Sequence, residues 1–324
     1  MGAAPGTPRT DPDLLIRPLR AEDLRAADAI RRLAFGTFLG LSDPMSFEGD
    51  ASPVRTRYLV DPTGCFAAEL DGDLVGTNFA VDWGSVGFFG PLTIHPAHWG
   101  RGIAQRLVEV VLEGFTRRGT RHVGLFTFAH SPKHLALYQK FGFWPRFTTA
   151  IMIKPVGPVV PGADWSAYSE LPAARQRASL ADCRDLAGSV HPGLDLGREI
   201  TATAQHRFGE TVLLRAGGTL TGFAVCHCGP DTEAGSGRCY IKFGAARPGP
   251  DGERSFAGVL AACDALAAAR DLARLVAGVN TARREAYRQM LRFGFRTDVV
   301  GVAMDRPDEA GYNRPGAYVI DDWM

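Results

Sequence analysis

The chain has 324 residues, enough for one large domain or two of ordinary size, each with its own core. It is 45% hydrophobic and 22% charged with a formal net charge of +1, which gives no whole-chain attraction to nucleic acid or to an acidic membrane. No apolar run reaches the ~20 residues that span a bilayer, and the six cysteines form no Cys-x-x-Cys pair, so reduced thiols in a cytoplasmic protein are expected.

The first 13 residues, MGAAPGTPRTDPD, lack the apolar core of a signal peptide and read as a frayed tail. They begin Met-Gly, but Gly6 breaks the myristoylation pattern. LLIRPL (14–19) predicts a strand, and the stretch after it an amphipathic helix with Leu24, Ala27, Ile30 and Leu33 on one face. GCFAAELDGDLVGTNFAVDW predicts a hairpin about Asp71-Gly72. VGFFGPLTIHP is a further strand ending at Pro96; a glycine loop follows, then a helix with Leu107, Val110, Val111 and Gly114 on its buried stripe. HVGLFTF predicts a buried strand, and Ser131-Pro132 a capped start for the helix through KHLALYQK. FWPRFTTAIMIKP closes this half, and the Pro- and Gly-rich KPVGPVVPGADW (154–165) reads as a linker.

A second half repeats the first. Phe141-Gly142-Phe143 recurs 152 positions later as Phe293-Gly294-Phe295, and the same offset relates Pro96 to Pro248, Gly100 to Gly252, Met152 to Met304 and Pro155 to Pro307. Upstream, the hairpin glycines Gly72 and Gly76 match Gly218 and Gly222 at an offset of 146, the second half carrying a longer excursion through GPDTEAGSGR. A shared register of this length marks a tandem repeat of one fold. Cys226-His227-Cys228 with Cys239 has the wrong spacing for a metal site, since a strand there puts both cysteines on one face. His130 and His134 share no helix face if Ser131 is the cap, so no metal is expected there either.

Strand, proline, two-glycine loop and helix together aim several backbone N–H groups and a helix N-terminus at one point, which suits a phosphate or pyrophosphate. Glycine matters there because a side chain would hold the ligand off the backbone. A Gly-Lys-Ser/Thr P-loop and a Rossmann acidic signature are both missing.

LTIHPAHWGRGIAQRLVEVVL followed by LALYQKFGF resembles the GCN5-related N-acetyltransferase (GNAT) superfamily. In that family the loop pattern is Gln/Arg-x-x-Gly-x-Gly/Ala and binds the pyrophosphate of acetyl-CoA; here Gly102 and Ala104 fill the last two slots and Trp99 stands where Gln or Arg is usual. The resemblance implies an α/β (α+β) protein of two tandem GNAT-like domains, each a mixed, mostly antiparallel sheet flanked by helices: a catalytic domain over 1–158 and a degenerate one with a C-terminal tail over 159–324. It implies cofactor contacts at Leu92, Thr93, Ile94, Trp99, Gly100, Arg101, Gly102, Ile103, Ala104 and Ser131, of which Leu92 to Ile94 would also supply oxyanion donors. Tyr138 matches the family tyrosine that protonates the departing CoA sulfur.

The second loop departs from the pattern, with Glu253, Arg254 and Phe256 in place of Arg101, Gly102 and Ala104, and Met290 in place of Tyr138. An acidic group and a bulky ring there oppose pyrophosphate binding. No carboxylate stands on GFFGPLTIH, so Glu48, Asp50, Asp82, His95 and a water chain remain open as the base. The segment 35–58 is expected to form the acceptor site, with Phe35, Phe38, Met45 and Phe47 as apolar walls and Glu48 and Asp50 facing a cationic amine. Arg117, Arg118 and Arg121 suit the helix dipole better than a CoA phosphate. The expected activity is acetyl transfer from acetyl-CoA to a small-molecule amine by a monomer or homodimer, with no metal, nucleic acid or membrane; a non-catalytic acyl-CoA-binding protein is the alternative. The aromatic and acidic tail GYNRPGAYVIDDWM is expected either to pack back as a strand or to bring its carboxylates to the first site.

Overall fold

The computed structural model describes residues 13–157 and 165–323. The N-terminal tail and most of the linker segment therefore lie outside the described residues. The first half runs β1 (Leu14–Pro18), α1 (Leu24–Phe38), α2 (Pro53–Val60), β2 (Cys65–Leu70), β3 (Asp73–Trp83), β4 (Val86–Phe89), β5 (Thr93–Ile94), α3 (Ile103–Arg118), β6 (His122–Thr127), α4 (Pro132–Gln139) and β7 (Trp144–Pro155). The second half follows the same course: β8 (Trp165–Ala167), α5 (Ala173–Val190), α6 (Gly197–Gln205), β9 (Gly209–Ala216), β10 (Thr219–Gly229), β11 (Gly235–Ala246), α7 (Gly252–Ala269), β12 (Arg274–Asn280), α8 (Arg284–Arg292) and β13 (Arg296–Arg306). A final short strand, β14 (Val319–Ile320), ends it. No helix among the described residues is long and apolar enough to cross a membrane.

Local chemistry explains the elements near the loop. Asp71 and Gly72 both take positive φ, as a tight hairpin turn between β2 and β3 requires. Helix α3 buries Leu107, Val111 and Phe115 at intervals of four, and Gly119 ends it in the left-handed conformation. Arg118 in its last turn reaches Asp61 at 3.3 Å, so it holds the entry to β2 as well as answering the dipole.

The strands join in one 14-stranded sheet, in the order β1-β2-β3-β4-β6-β13-β7-β12-β11-β10-β9-β8, with β5 on β3 and β14 on β11. The closing strands are exchanged: β13 lies between β6 and β7, and β7 lies between β13 and β12. Their register is symmetric under the 152-residue offset. Thr149 pairs with its own counterpart Gly301, and Ala150↔Val300 mirrors Thr148↔Val302. A pseudo-two-fold axis therefore passes between Thr149 and Gly301.

Period-two alternation sorts the first half's side chains onto two faces. Phe66, Ala68 and Leu70 meet α3 and α4, while Cys65 and Ala67 meet α1 and α2. The sheet curls enough for the α1–α2 face of one half to meet the corresponding face of the other, and Trp83 packs edge-on to Phe243 with centroids 5.4 Å apart. Trp83 is fully buried in that shared core, where truncating an aromatic to alanine typically costs about 3–5 kcal/mol.

Candidate active site

Strands β4 and β6 pair in parallel over three rungs, ending at Phe88↔Gly124. Beyond that rung the chain leaves β6, and β5 pairs only with β3 through Thr77↔Thr93 and Gly76↔Ile94. The result is a V-shaped slot with its apex at Phe88 and Gly124. The N–H of His95 donates to Val75 O at 2.8 Å. Antiparallel alternation then turns Thr93 toward β3 and leaves the N–H groups of Leu92 and Ile94 facing the slot.

The loop follows directly. Gly100 and Gly102 both hold φ 82°, a left-handed backbone that favours glycine. A Cβ on Gly100 would meet no atom within 4 Å, so the loop's outer side is open to a ligand. Gln105 N makes the first helical bond, to Gly102 O at 3.0 Å, which leaves the N–H groups of Ile103 and Ala104 ahead of it pointing out of the helix end. Trp99 now has a structural account: its indole N–H donates to Ile94 O at 2.7 Å and ties the loop back to the strand. Arg101 is exposed beside His98 Nδ1 at 3.1 Å.

Ser131 is the N-cap of α4 and accepts from His134 N at 3.4 Å. One helical stretch on, Tyr138 is buried edge-on to Phe89 at 5.9 Å, next to the slot's apex. Burial pushes its hydroxyl well above the usual tyrosine range, so it keeps its proton at any ordinary pH.

The corresponding place in the second half differs. Helix α7 starts at Gly252, the counterpart of Gly100, whereas α3 starts three residues later in register at Ile103. The residues that form the open loop in the first half are therefore helical in the second. Phe256 is fully buried rather than facing a ligand, Met290 is buried in the same core, and Glu253 pairs with Arg292 at 3.2 Å.

The acetyltransferase (GNAT) family model matches residues 29–143. Residues 29–143 are an acetyltransferase domain of the GNAT family. No curated protein matches the chain by sequence. Among solved structures, a Pyrococcus horikoshii protein assigned to the acetyltransferases is 17% identical with a TM-score of 0.68, covering 97% of this chain and 96% of its own. A GCN5-related N-acetyltransferase from Sphaerobacter thermophilus is 16% identical with a TM-score of 0.59, covering 91% and 96%. Both share the fold across the two halves.

On the α1–α2 face of the GNAT domain, Phe35 stacks on Phe47 at 5.2 Å, and Phe38 packs on Phe128 at 5.1 Å and His134 at 4.9 Å. Met45 is exposed. The two carboxylates expected to face an amine are already engaged. Glu48 accepts from buried Arg31 at 2.6 Å, and Asp50 accepts from Ser236 N at 2.7 Å and from its hydroxyl. Those bonds from Ser236 hold Asp50 below the usual carboxylate range. Asp82 is half-buried, raised by that burial, and accepts from Gly84 N; His95 Nδ1 accepts from Ala97 N at 3.3 Å.

Sequence reasoning missed a buried polar network that the second half sets against the slot. Arg57 of α2 donates to Gly90 O, beside the apex, and to Glu233 Oε2 at 3.2 Å. Lys242 donates to both Glu233 oxygens at 2.7 Å, and both cations lie over the Phe88 ring, at 5.7 and 5.5 Å from its centroid. Burial acts to raise the Glu233 carboxyl; Arg57 and Lys242 outweigh it and leave it well below the usual range. The excursion GPDTEAGSGR carries Glu233, and a lysine inside the apolar CYIKFGAA was the available signal.

Nearby, His227 is fully buried, 3.8 Å from Glu199, with no hydrogen-bond partner on either ring nitrogen among the described residues. Cys226 faces Cys263 at 3.7 Å in the core under α7, whereas His227 lies on the opposite side of β10 beside Glu199, so the Cys-His-Cys run cannot close on one ion. Burial pushes the imidazole down to about 4 from 6.5. The folded value lies below the unfolded one, so the unfolded chain takes up the proton first. This stabilisation is held above about pH 6.5 and lost as the pH falls toward 4, with an upper bound of about 3 kcal/mol. Urea unfolding of His227→Leu at pH 7 and pH 4.5 is expected to show a smaller acid loss than the parent; an equal loss in both would contradict the assignment.

Proposed function

We propose that the protein is an acetyl-CoA-dependent N-acetyltransferase for the amine of a small molecule, with its donor site in the first half. The observation that carries this is the V between β5 and β6, opening onto the Gly100–Ala104 loop. The N–H groups of Ile103 and Ala104 and the glycine backbone would hold the donor's pyrophosphate, and acetyl-CoA supplies the thioester. The amine nitrogen attacks the thioester carbonyl, forming the C–N bond. N–H groups of Leu92 and Ile94 stabilise the oxyanion. As the C–S bond breaks, the Tyr138 hydroxyl donates its proton to the sulfur.

With Glu48 and Asp50 bonded to Arg31 and Ser236, the amine's surplus proton is assigned to water. The half-buried Phe35, Phe47 and Phe128 rings support an acceptor with an apolar body. Calorimetry is expected to give one acetyl-CoA per chain. A thiol assay with a panel of small amines is expected to show CoA release. Saturable binding without release across aliphatic and aromatic amines would replace this reading with a non-catalytic acyl-CoA-binding protein.

A further inference from the structure

The second half has its own V, and a stretch of this same chain is seated in it. Strands β11 and β12 pair in parallel at Arg238↔Arg274, Cys239↔Leu275 and Tyr240↔Val276, the counterparts of the three β4–β6 rungs, plus one more at Ile241↔Ala277. They then diverge. Into the gap runs β14, antiparallel to β11 through Gly244↔Ile320 and Ala245↔Val319. Gly244 and Ala245 are the counterparts of Leu92 and Thr93 at the 152-residue offset. Ala246 N donates to Tyr318 O at 3.0 Å, continuing the ladder.

The match extends to both ends. Beside α7, the Tyr318 ring lies 3.0 Å from where a Cβ on Gly252 would stand, and packs on Phe256 at 5.5 Å. Those two residues are the counterparts of Gly100 and Ala104. At the other edge, Asp322 fills the space of the Gly278 side chain on β12. Arg283, the counterpart of Ser131, is fully buried and donates to Val319 O at 3.0 Å and to Asp321 at 2.6 Å. Tyr312 and Tyr240 donate to Asp321 and Asp322 at 2.7 and 2.8 Å. The segment ends with Trp323 lying flat on Gly124, the apex residue of the first slot.

We propose that the second half has become a peptide-binding site for an extended acidic segment, filled by the chain's own Tyr318–Trp323 where the first half would seat an acyl-carrying arm. The slot recognises peptide by strand addition: main-chain bonds from β11, two carboxylates held by Arg283 and Tyr240 with the segment's own Tyr312 bracing Asp321, and an aromatic anchor at each end. The comparison with an acyl arm rests on the proposed donor site, whereas the peptide recognition does not.

The test uses the full chain, cut after folding at a protease site placed over Asp308–Ala310. A dye-labelled peptide, GYNRPGAYVIDDWM, is then added and followed by anisotropy. The expected result is one labelled peptide exchanged in per chain, with at least tenfold weaker binding when Asp321 in the peptide is changed to Ala, and no displacement by acetyl-CoA. Failure of the peptide to exchange into the cut, folded chain overturns the proposal. So does displacement by acetyl-CoA, which would make the slot a second donor site. If acetyl-CoA binds nowhere while the peptide exchanges, the proposed enzymatic function falls and the peptide site stands.

Discussion

Gly102→Arg is expected to abolish acetyl-CoA binding, with at least a hundredfold loss by calorimetry, while Arg254→Gly leaves both affinity and stoichiometry unchanged. The reason is conformational before it is electrostatic. Gly102 holds φ 82°, and a side chain in the left-handed region costs roughly 1–2 kcal/mol. The variant loop can relieve that strain only by abandoning the backbone that aims Ile103 and Ala104 N–H outward. A cation by itself would attract a pyrophosphate, so a loss with arginine isolates the backbone's part. Arg254 is exposed and paired with Asp251 at 3.1 Å, inside a helix that has already consumed the second loop. Near-parental binding by a folded Gly102→Arg protein would remove the loop from the donor site.

Tyr138→Phe is expected to lower kcat by about a hundredfold, the lower end of what a positioned general acid contributes, with acetyl-CoA affinity within twofold of the parent. Phenylalanine keeps the contacts with Phe89 and Phe143 and removes only the hydroxyl. Because burial raises that hydroxyl above the usual tyrosine range, the parental rate should rise with pH as amines lose their protons and show no downturn from Tyr138 below about pH 10. A kcat unchanged by the substitution would leave Tyr138 as a packing residue.

Much of this was legible in the residues. The 152-residue register reappears as the pairing of Thr149 with Gly301, because counterparts about a two-fold axis must keep one offset. The hairpin at Asp71-Gly72 and the cap at Ser131 have local causes and were read locally. The exchange of β7 and β13 was not legible, since each strand shows the same apolar pattern whichever half it completes. The bonds that engage Glu48 and Asp50 are not legible, since partners 17 and 186 residues away leave no trace in a local pattern. Trp99 departs from the motif's usual Gln or Arg, and its indole holds the strand it follows. The aromatic and acidic composition of the tail points to its packing back as a strand, and β14 does so, although at two residues it is too short for any periodicity to announce.

The exchanged closing strands carry a consequence for ancestry and for what selection can remove. An arrangement in which each half borrows its neighbour's last strand about a dyad is that of a homodimer made continuous by a linker. Splitting the gene at the linker would yield two products that must find each other to complete their sheets, much as swapped protomers do. Neither half has its full sheet without the closing strand of the other.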